Sequence, residues 1–328
     1  MKILVTGGLG YIGSHIVVEL QQAGHRVVIM DNLCNSKKTV LDNIEKITGQ
    51  KPGFYLGDVK YLDNFPEVPF DCVIHCAGLK SVADSVKYPV QYFENNITGT
   101  INVLQFCALN HVKKLIFSSS ATVYGTPNWS PIHEKLPKNP ENPYAVSKLI
   151  SEQLIEEVAK SADWEFSATC LRYFNPIGAH ESGLIFENPN GKPNNLMPLI
   201  CEVATGKRIR IDIFGDTYNT PDGTCVRDYI HVTDIAKGHL AALIDNSYFS
   251  VYNLGTGQGT SVKEIIQKFE EVNNVRIPNM TAEPRPGDVA MSYADPSNAQ
   301  IYLNWKAEKT LDEMVRSAWN AISSNTNT

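Results

Sequence analysis

The sequence predicts an α/β fold, a doubly wound parallel sheet of Rossmann type with a smaller α/β substrate-binding domain following it. Three observations carry that expectation. Short apolar, β-branched runs alternate with stretches of helical apolar spacing over roughly the first 170 residues. A glycine-rich turn joins the first such run to the first helical stretch, and an acidic residue closes the second run. Parallel strands need crossovers, and a helix supplies each one, covering both sheet faces in turn.

Lys2 to Thr6 reads as the first strand, Gly7-Gly-Leu-Gly-Tyr-Ile-Gly13 as a turn, and Ser14 to Ala23 as a helix ended by Gly24. Arg26 to Met30 is a second buried strand. Further strands are expected at Phe54 to Leu56, Cys72 to Cys76, Leu115 to Ser118 and Phe166 to Leu171, with helices over Val90 to Asn110 and Tyr144 to Ala162. Beyond Tyr173 the pattern loosens into Gly/Asn/Pro-rich segments, Gly183 to Asn195 and Asp216 to Gly223. Helices are expected there over Met197 to Thr205, Thr233 to Asp245 and Ser261 to Val272. The expected division is 1–173 for the nucleotide-binding unit and 174–328 for the smaller one, part of 225–255 returning to the first. Ser323 to Thr328 reads as a disordered tail.

Composition narrows the function. A 328-residue chain with 43% hydrophobic and 20% charged residues is an ordinary globular one with ample core. Its formal charge of -6 argues against a nucleic-acid surface. The seven cysteines are odd in number and form no C-x-x-C pair, as expected of buried free thiols in a reducing compartment. No signal-peptide h-region and no run of 18 apolar residues is present, so no membrane association and a cytoplasmic location are expected.

Gly7, Gly10 and Gly13 lie where a backbone must turn tightly and approach a pyrophosphate at a helix N-terminus. Asp31 ends the second strand, where its carboxylate can accept hydrogen bonds from an adenosine ribose diol. A 2′-phosphate would meet like charge there; Asn32 follows and no Arg intervenes before Arg172, so NAD is favoured over NADP. Asp58 and Val59 follow the third strand, within reach of an adenine, although Asp58 reads equally well as a solvated loop residue. Tyr144 and Lys148 are four residues apart at a helix start, hence on one face. Bringing a Tyr from a pKa of about 10 to near 7 needs roughly 4 kcal/mol, which an ammonium and a cationic nicotinamide ring together can supply. Ser120, ending the strand before that helix, places a hydroxyl between a substrate alcohol and the phenolate.

With these residues the chain resembles the extended short-chain dehydrogenase/reductase family, and within it the UDP-hexose 4-epimerases. The resemblance runs through Thr6 to Gly13, Asp31 to Ser36, Ala77 to Lys80, Ser118 to Gly125, Pro143 to Lys148, Leu171 to Pro176, Pro193 to Pro198, Gly223 to Val232 and Thr310 to Met314, covering nearly the whole chain. It implies Tyr144 as general base and acid, Lys148 as the group that holds the nicotinamide ribose and lowers the Tyr pKa, and Ser120 as the hydroxyl orienting the sugar. It implies Tyr11, Ile12, Lys80, Asn95 and Tyr173 as further cofactor contacts. Asn175, Asn195, Leu196, Arg227, Arg285 and Asp288 resemble the uridine diphosphate clamp, the two arginines offsetting the diphosphate charge. The implied reaction interconverts UDP-glucose and UDP-galactose by transient oxidation at C4. Ser292 stands where hexose-restricted relatives carry a bulky Tyr, which leaves room for an N-acetyl group and extends the expectation to UDP-N-acetylhexosamines. Cys76 stands where relatives often carry an aromatic. The resemblance also implies a homodimer paired through the helices at Val90 to Asn110 and Tyr144 to Ala162.

Four rival readings are weaker. A sugar-nucleotide dehydratase needs an acidic residue just after the strand hydroxyl, and Ala121-Thr122 occupies that place. A catalytically silent sensor would have lost part of the Ser120, Tyr144, Lys148 set. Hydrolase and metal readings lack G-x-S-x-G and H-E-x-x-H, and His75 and His231 read as satisfied core groups.

Overall fold

A computed structural model describes residues 1–62, 65, 69–127, 129–285 and 288–326. The main layer is a seven-stranded sheet whose strands run across it in the order Phe249–Leu254, Ser167–Tyr173, Lys114–Ser120, Cys72–His75, Lys2–Thr6, Arg26–Asp31 and Gly53–Leu56, every neighbouring pair parallel. Its elements are β1 (Lys2–Thr6), α1 (Tyr11–Gln22), β2 (Arg26–Asp31), α2 (Val40–Thr48), β3 (Gly53–Leu56), β4 (Cys72–His75), α3 (Val82–Lys87), α4 (Pro89–Phe93), α5 (Gly99–Leu109), β5 (Lys114–Ser120), α6 (Pro143–Ser161) and β6 (Ser167–Tyr173). The chain builds outward from β1 to β3 and then returns to lay β4 on the other side of β1. That reversal opens a crevice at the carboxyl edge, the place where open α/β sheets bind ligands.

The remainder comprises β7 (Asn175–Ile177), α7 (Leu196–Ala204), β8 (Ile211–Phe214), β9 (Val226–Arg227), β10 (Tyr229–His231), α8 (Val232–Ala242), β11 (Phe249–Leu254), β12 (Thr260–Ser261), α9 (Val262–Asn273), β13 (Asn279–Ala282), β14 (Met291–Ser292), α10 (Ser297–Leu303) and α11 (Leu311–Thr326). Its strands outside the large sheet form three small sheets among the described residues, β10-β7, β12-β9-β14 and β13-β8, of which β10-β7 borders the crevice. β11 leaves that region and pairs with β6, while α8 packs on α1. No strand is expected at β11 from local pattern, because its half-buried edge gives a mixed burial sequence without clean alternation.

β5 and β6 are buried at every position, which only a sheet covered on both faces allows. One apolar cluster holds Ile3, Val5, Ile16, Leu20, Ile29 and Leu171 beneath α1 and α8; another holds Leu4, Val73, Leu115, Phe117 and Ile155 beneath α5 and α6. A third, around Met197, Ile265, Phe269, Met314 and Val315, holds the smaller region together.

Two expectations fail. The single helix over Val90 to Asn110 is interrupted: a turn of wider π-helix, Glu94–Thr98, separates α4 from α5. The cause is Asn96, whose buried side chain leaves the helix surface, accepts Leu79 N–H at 2.8 Å and donates to Leu79 O at 3.1 Å and Ser147 Oγ at 2.9 Å. Such bulges re-aim side chains at functional sites, and here Asn95 is turned into the crevice. The tail expected from Ser323 is instead the last part of α11, since Met314, Val315, Ala318 and Ala321 form an apolar stripe packed on α9 and α7. Asn327 and Thr328 lie outside the described residues.

Candidate active site

The crevice is a cavity of about 680 Å³ bordered by the glycine loop, the carboxyl ends of β2, β4, β5 and β6, and the segments 174–177 and 184–196 from the smaller region. Gly7 adopts φ +69, and a Cβ there would lie 2.8 Å from Ala77 N. At Gly13 a Cβ would fall on the carbonyl oxygen of Gly7. Gly10 caps α1 with no side-chain hydrogen bond, so the first-turn N–H groups and the helix dipole are presented to an anion. Tyr11 and Ile12 line the cavity, and the Tyr11 hydroxyl donates to Gly178 O at 2.7 Å, tying the loop to the smaller region.

Asp31 is buried. Its Oδ2 accepts Leu9 N–H at 3.0 Å, and its Oδ1 accepts Leu33 N–H at 2.9 Å and Ser36 Oγ–H at 2.7 Å. One carboxylate thus orders both the glycine loop and the 32–36 loop while bordering the cavity. Asn32 and Val59 line the cavity too, whereas Asp58 stands behind Asn32, accepting its Nδ2–H at 3.1 Å. Asp58 is therefore placed to orient Asn32. Lys80, Asn95 and Tyr173 also border the space.

Asn142 accepts Ala145 N–H and Pro143 occupies the first turn, which starts α6 where Tyr144 points into the cavity. Ser120 Oγ accepts Thr122 N–H at 3.2 Å and Thr122 Oγ1–H at 3.0 Å. Lys148 Nζ donates to Ser118 O at 2.7 Å and lies 5.9 Å from the centre of the Tyr144 ring. Burial pushes the Lys148 ammonium down to about 8, against the opposing pull of Cys76, Glu152 and Cys170. Burial also holds the Tyr144 phenol above its ordinary value, opposed by the hydrogen bond with Ser120. The expected lowering of Tyr144 is thus not accomplished by the protein's own groups; it calls for a further cation in the cavity. The Tyr173 hydroxyl sits 2.7 Å from Ser118 Oγ and 2.6 Å from His239 Nε2, and burial keeps His239 neutral by lowering it to about 4.

Asn175, Asn195 and Leu196 border the cavity. Arg227, Arg285, Asp288 and Ser292 are not among its lining residues, but they lie near one another. Arg227 donates to Val226 O at 2.9 Å and Val289 O at 2.6 Å and pairs with Asp288 at 3.4 Å. Arg285 lies with its guanidinium 3.8 Å from the centre of the Phe214 ring, and Ser292 is paired with Arg227 across β14 and β9. Of the motif joining Arg285 to Asp288, Pro286 and Gly287 lie outside the described residues. Sequence reasoning missed Glu187, which borders the cavity, pairs with Lys80 at 2.6 Å and accepts Asn195 Nδ2–H at 2.7 Å. It sits in a Gly/Asn/Pro-rich segment with no periodicity, so no local signal points to it.

Loop, carboxylate and cavity suit an adenine dinucleotide: glycines where a Cβ would block the approach, an uncapped helix N-terminus, and an acidic residue at the ribose end of β2. The NAD dependent epimerase/dehydratase family model matches residues 3–255. The chain belongs to that family. Against a UDP-glucose 4-epimerase from Yersinia enterocolitica it is 50% identical, covering 97% of this chain and 96% of the relative. A UDP-glucose 4-epimerase from Stenotrophomonas maltophila, whose crystal structure holds NAD and formylated UDP-arabinopyranose, superposes with a TM-score of 0.97 at 46% identity, over 100% of this chain and 99% of that one. A UDP-Glc/GlcNAc 4-epimerase from Campylobacter jejuni superposes with a TM-score of 0.85 at 33% identity, over 98% and 99%. This member of the family has no cluster of three His, Cys, Asp or Glu suited to a metal and no helix long and apolar enough to cross a membrane, among the described residues.

Proposed function

We propose that this member of the epimerase/dehydratase family interconverts UDP-glucose and UDP-galactose, using NAD as a resident cofactor. The observation that carries the reading is Ser120, Tyr144 and Lys148 at the carboxyl edge of β5 and the start of α6, sharing one cavity with the glycine loop and Asp31. When bound there, NAD would supply a reversible hydride acceptor for the sugar carbon. Gly7, Gly10, Gly13 and the N-terminus of α1 would hold its pyrophosphate, and Asp31 would hold the adenosine ribose. Lys148, fixed to Ser118 O, holds the nicotinamide ribose and contributes positive charge beside Tyr144. Ser120 donates to the C4 oxygen, and Tyr144 takes the C4 hydroxyl proton and later gives it back.

Inversion requires the intermediate to present its other face. Asn175, Asn195 and Leu196 grip the nucleotide end together with Arg227 and Arg285, where a diphosphate offers charge to bind. The hexose offers no such charge, so it is held loosely and is free to turn about the phosphate linkage. Ser292, small and set in register with Arg227, leaves space beside C2, so the N-acetylated UDP-sugars are substrates as well. Ala121 and Thr122 supply no carboxylate for eliminating water, which favours return of hydride over dehydration.

The chain acts in the cytoplasm as a homodimer, in galactose metabolism or the supply of polysaccharide precursors. Exposed apolar residues along α3 to α5, among them Val86, Val90 and Leu109 at 63%, 75% and 82% exposure, support the pairing. Incubation of purified protein with UDP-galactose and, separately, UDP-N-acetylgalactosamine, without added cofactor, tests the reading by proton NMR of the anomeric signals. Both should convert, and Ser292→Tyr should remove only the second activity. No conversion of UDP-galactose by NAD-loaded protein would refute the reading.

A further inference from the structure

Resting on that reading, we propose that Glu152 is a positioning residue of the catalytic helix and that Arg172 is its obligatory counter-ion, the two forming one buried charged unit behind Tyr144, Lys148 and Ser120. The sequence places Tyr144, Lys148 and Glu152 at every fourth position of α6, so the three share one face, turned toward β5 and β6. Glu152 is 4% exposed and Arg172 is 2% exposed. Arg172 reaches Glu152 with both prongs of its fork, Nε to Oε1 at 2.9 Å and Nη2 to Oε2 at 2.5 Å. Glu152 Oε1 also accepts the hydroxyl of Ser119, the neighbour of Ser120. One carboxylate therefore fastens α6 to β6 and to the last residues of β5.

Arg172 extends the unit. Its Nη1 donates to Tyr124 O–H at 2.8 Å and to Glu134 O at 3.3 Å, and the Tyr124 hydroxyl donates to Asn253 Oδ1 at 2.7 Å. Tyr124 closes the turn that carries Ser120 into the cavity. Asn253 also donates to Ile132 O, whose residue pairs with the segment around Tyr293 and Ala294, next to Ser292. Catalytic helix, hydroxyl-bearing turn and hexose-side strand are thus joined through Glu152, Arg172, Tyr124 and Asn253, none of which lines the cavity.

Stability alone does not account for such a unit. Taking a carboxylate and a guanidinium fully out of water costs more than a surface pair, and apolar residues of similar size often replace a buried pair without loss. What apolar residues cannot supply is the bidentate register and the negative charge one helical turn beyond Lys148. The groups facing Lys148 are Cys76 at the end of β4, His75 on β4, Cys170 on β6, and Tyr144 and Glu152 on its own helix. Of these, Glu152 carries the formal negative charge. Its removal makes the ammonium easier to deprotonate.

The test uses two variants of the full-length, NAD-loaded protein, E152Q and E152L/R172M, each assayed for UDP-galactose epimerisation across pH. Both should keep their NAD content and KM within about twofold; E152L/R172M should melt close to the parent, whereas E152Q, which leaves the Arg172 charge unpaired, should melt lower while staying folded at the assay temperature. Their kcat should fall by tenfold to about 10²-fold, as expected when a catalytic group is displaced by an ångström. The alkaline limb of kcat should move about one pH unit lower. Ultraviolet titration of the Tyr144 phenolate, taken as the difference from Tyr144→Phe protein, should show a shifted midpoint in both variants. That readout needs no turnover, so it separates failure of this inference from failure of the epimerase reading, which the parent's activity decides. A folded variant with parental kcat, alkaline limb and Tyr144 titration overturns the proposal. If E152Q does not fold, E152L/R172M alone decides.

Discussion

The cofactor side and the sugar-nucleotide side of the cavity are built on opposite plans. On the cofactor side the working groups stand on long parallel strands and on the helix that follows one of them, and hydrogen-bonded partners fix them: Asp31, at the end of β2, by Leu9, Leu33 and Ser36, and Lys148, on α6, by Ser118. On the other side the strands are two to four residues long, and the groups suited to a diphosphate are held by soft partners. Arg227 leans on carbonyls of its own and a neighbouring segment, and Arg285 on an aromatic face. Chemistry that tolerates little displacement is preassembled, while the grip on the substrate can adjust, as a sugar that must turn over requires.

The sharpest check on that division is Tyr144→Phe, expected to lower kcat for UDP-galactose on the order of 10³-fold while NAD content and KM change little. Parental turnover would dissolve the distinction altogether. Gly13→Ala should strike the same side through the backbone, because the added methyl collides with Gly7 O and forces the loop away from the pyrophosphate. Co-purifying NAD should drop at least about tenfold by absorbance after denaturation, in line with the loss of charged hydrogen bonds. Arg227→Met should act on the other side alone, raising KM for UDP-galactose roughly 10- to 10²-fold with NAD content unchanged. Loss of NAD in that variant would show that the two sides are not separable.

A smaller effect concerns acid stability, to which both sides contribute. Burial lowers His75 to about 3 and His239 to about 4 near the large sheet, and His231 to about 4 in the smaller region. Each stays neutral in the fold until that value but is protonated in the unfolded chain below about 6.5. Between those limits the unfolded state binds more protons, so stability falls as pH drops through the window, by about 1.36 kcal/mol per unit per histidine. Urea midpoints from pH 7 to pH 5 should trace the decline, and His239→Leu should make it shallower by one proton's worth. An unaltered slope would count against a neutral His239.

Much of this was legible in the chain itself. β1, β2, β4, β5 and β6 announce themselves as apolar runs because strands buried on both faces tolerate little else, and Gly7, Asp31, Tyr144 and Lys148 sit at fixed offsets from their ends. The interruption at Glu94–Thr98 was not legible, since its cause is the pull of Leu79 and Ser147 on Asn96, partners remote in sequence. Neither was β11, whose six residues become a strand only because β6 offers an edge to pair with. The helical course of α11 past Ser323 likewise depends on the apolar stripe that α9 and α7 accept.

Local chemistry, then, determined the order of β1 to β6, the preference for NAD and the candidate proton-handling pair, because each follows from residue type and short-range spacing. Tertiary structure alone decided that Glu187 bridges Lys80 and Asn195, that Asp58 stands behind Asn32, and that Arg172 closes on Glu152. It also set the titration of Tyr144, where burial outweighs the hydrogen bond from Ser120. The physical reason is common to all four: desolvation and ion pairing depend on what surrounds a charge in space, and the chain brings those surroundings together only when it folds.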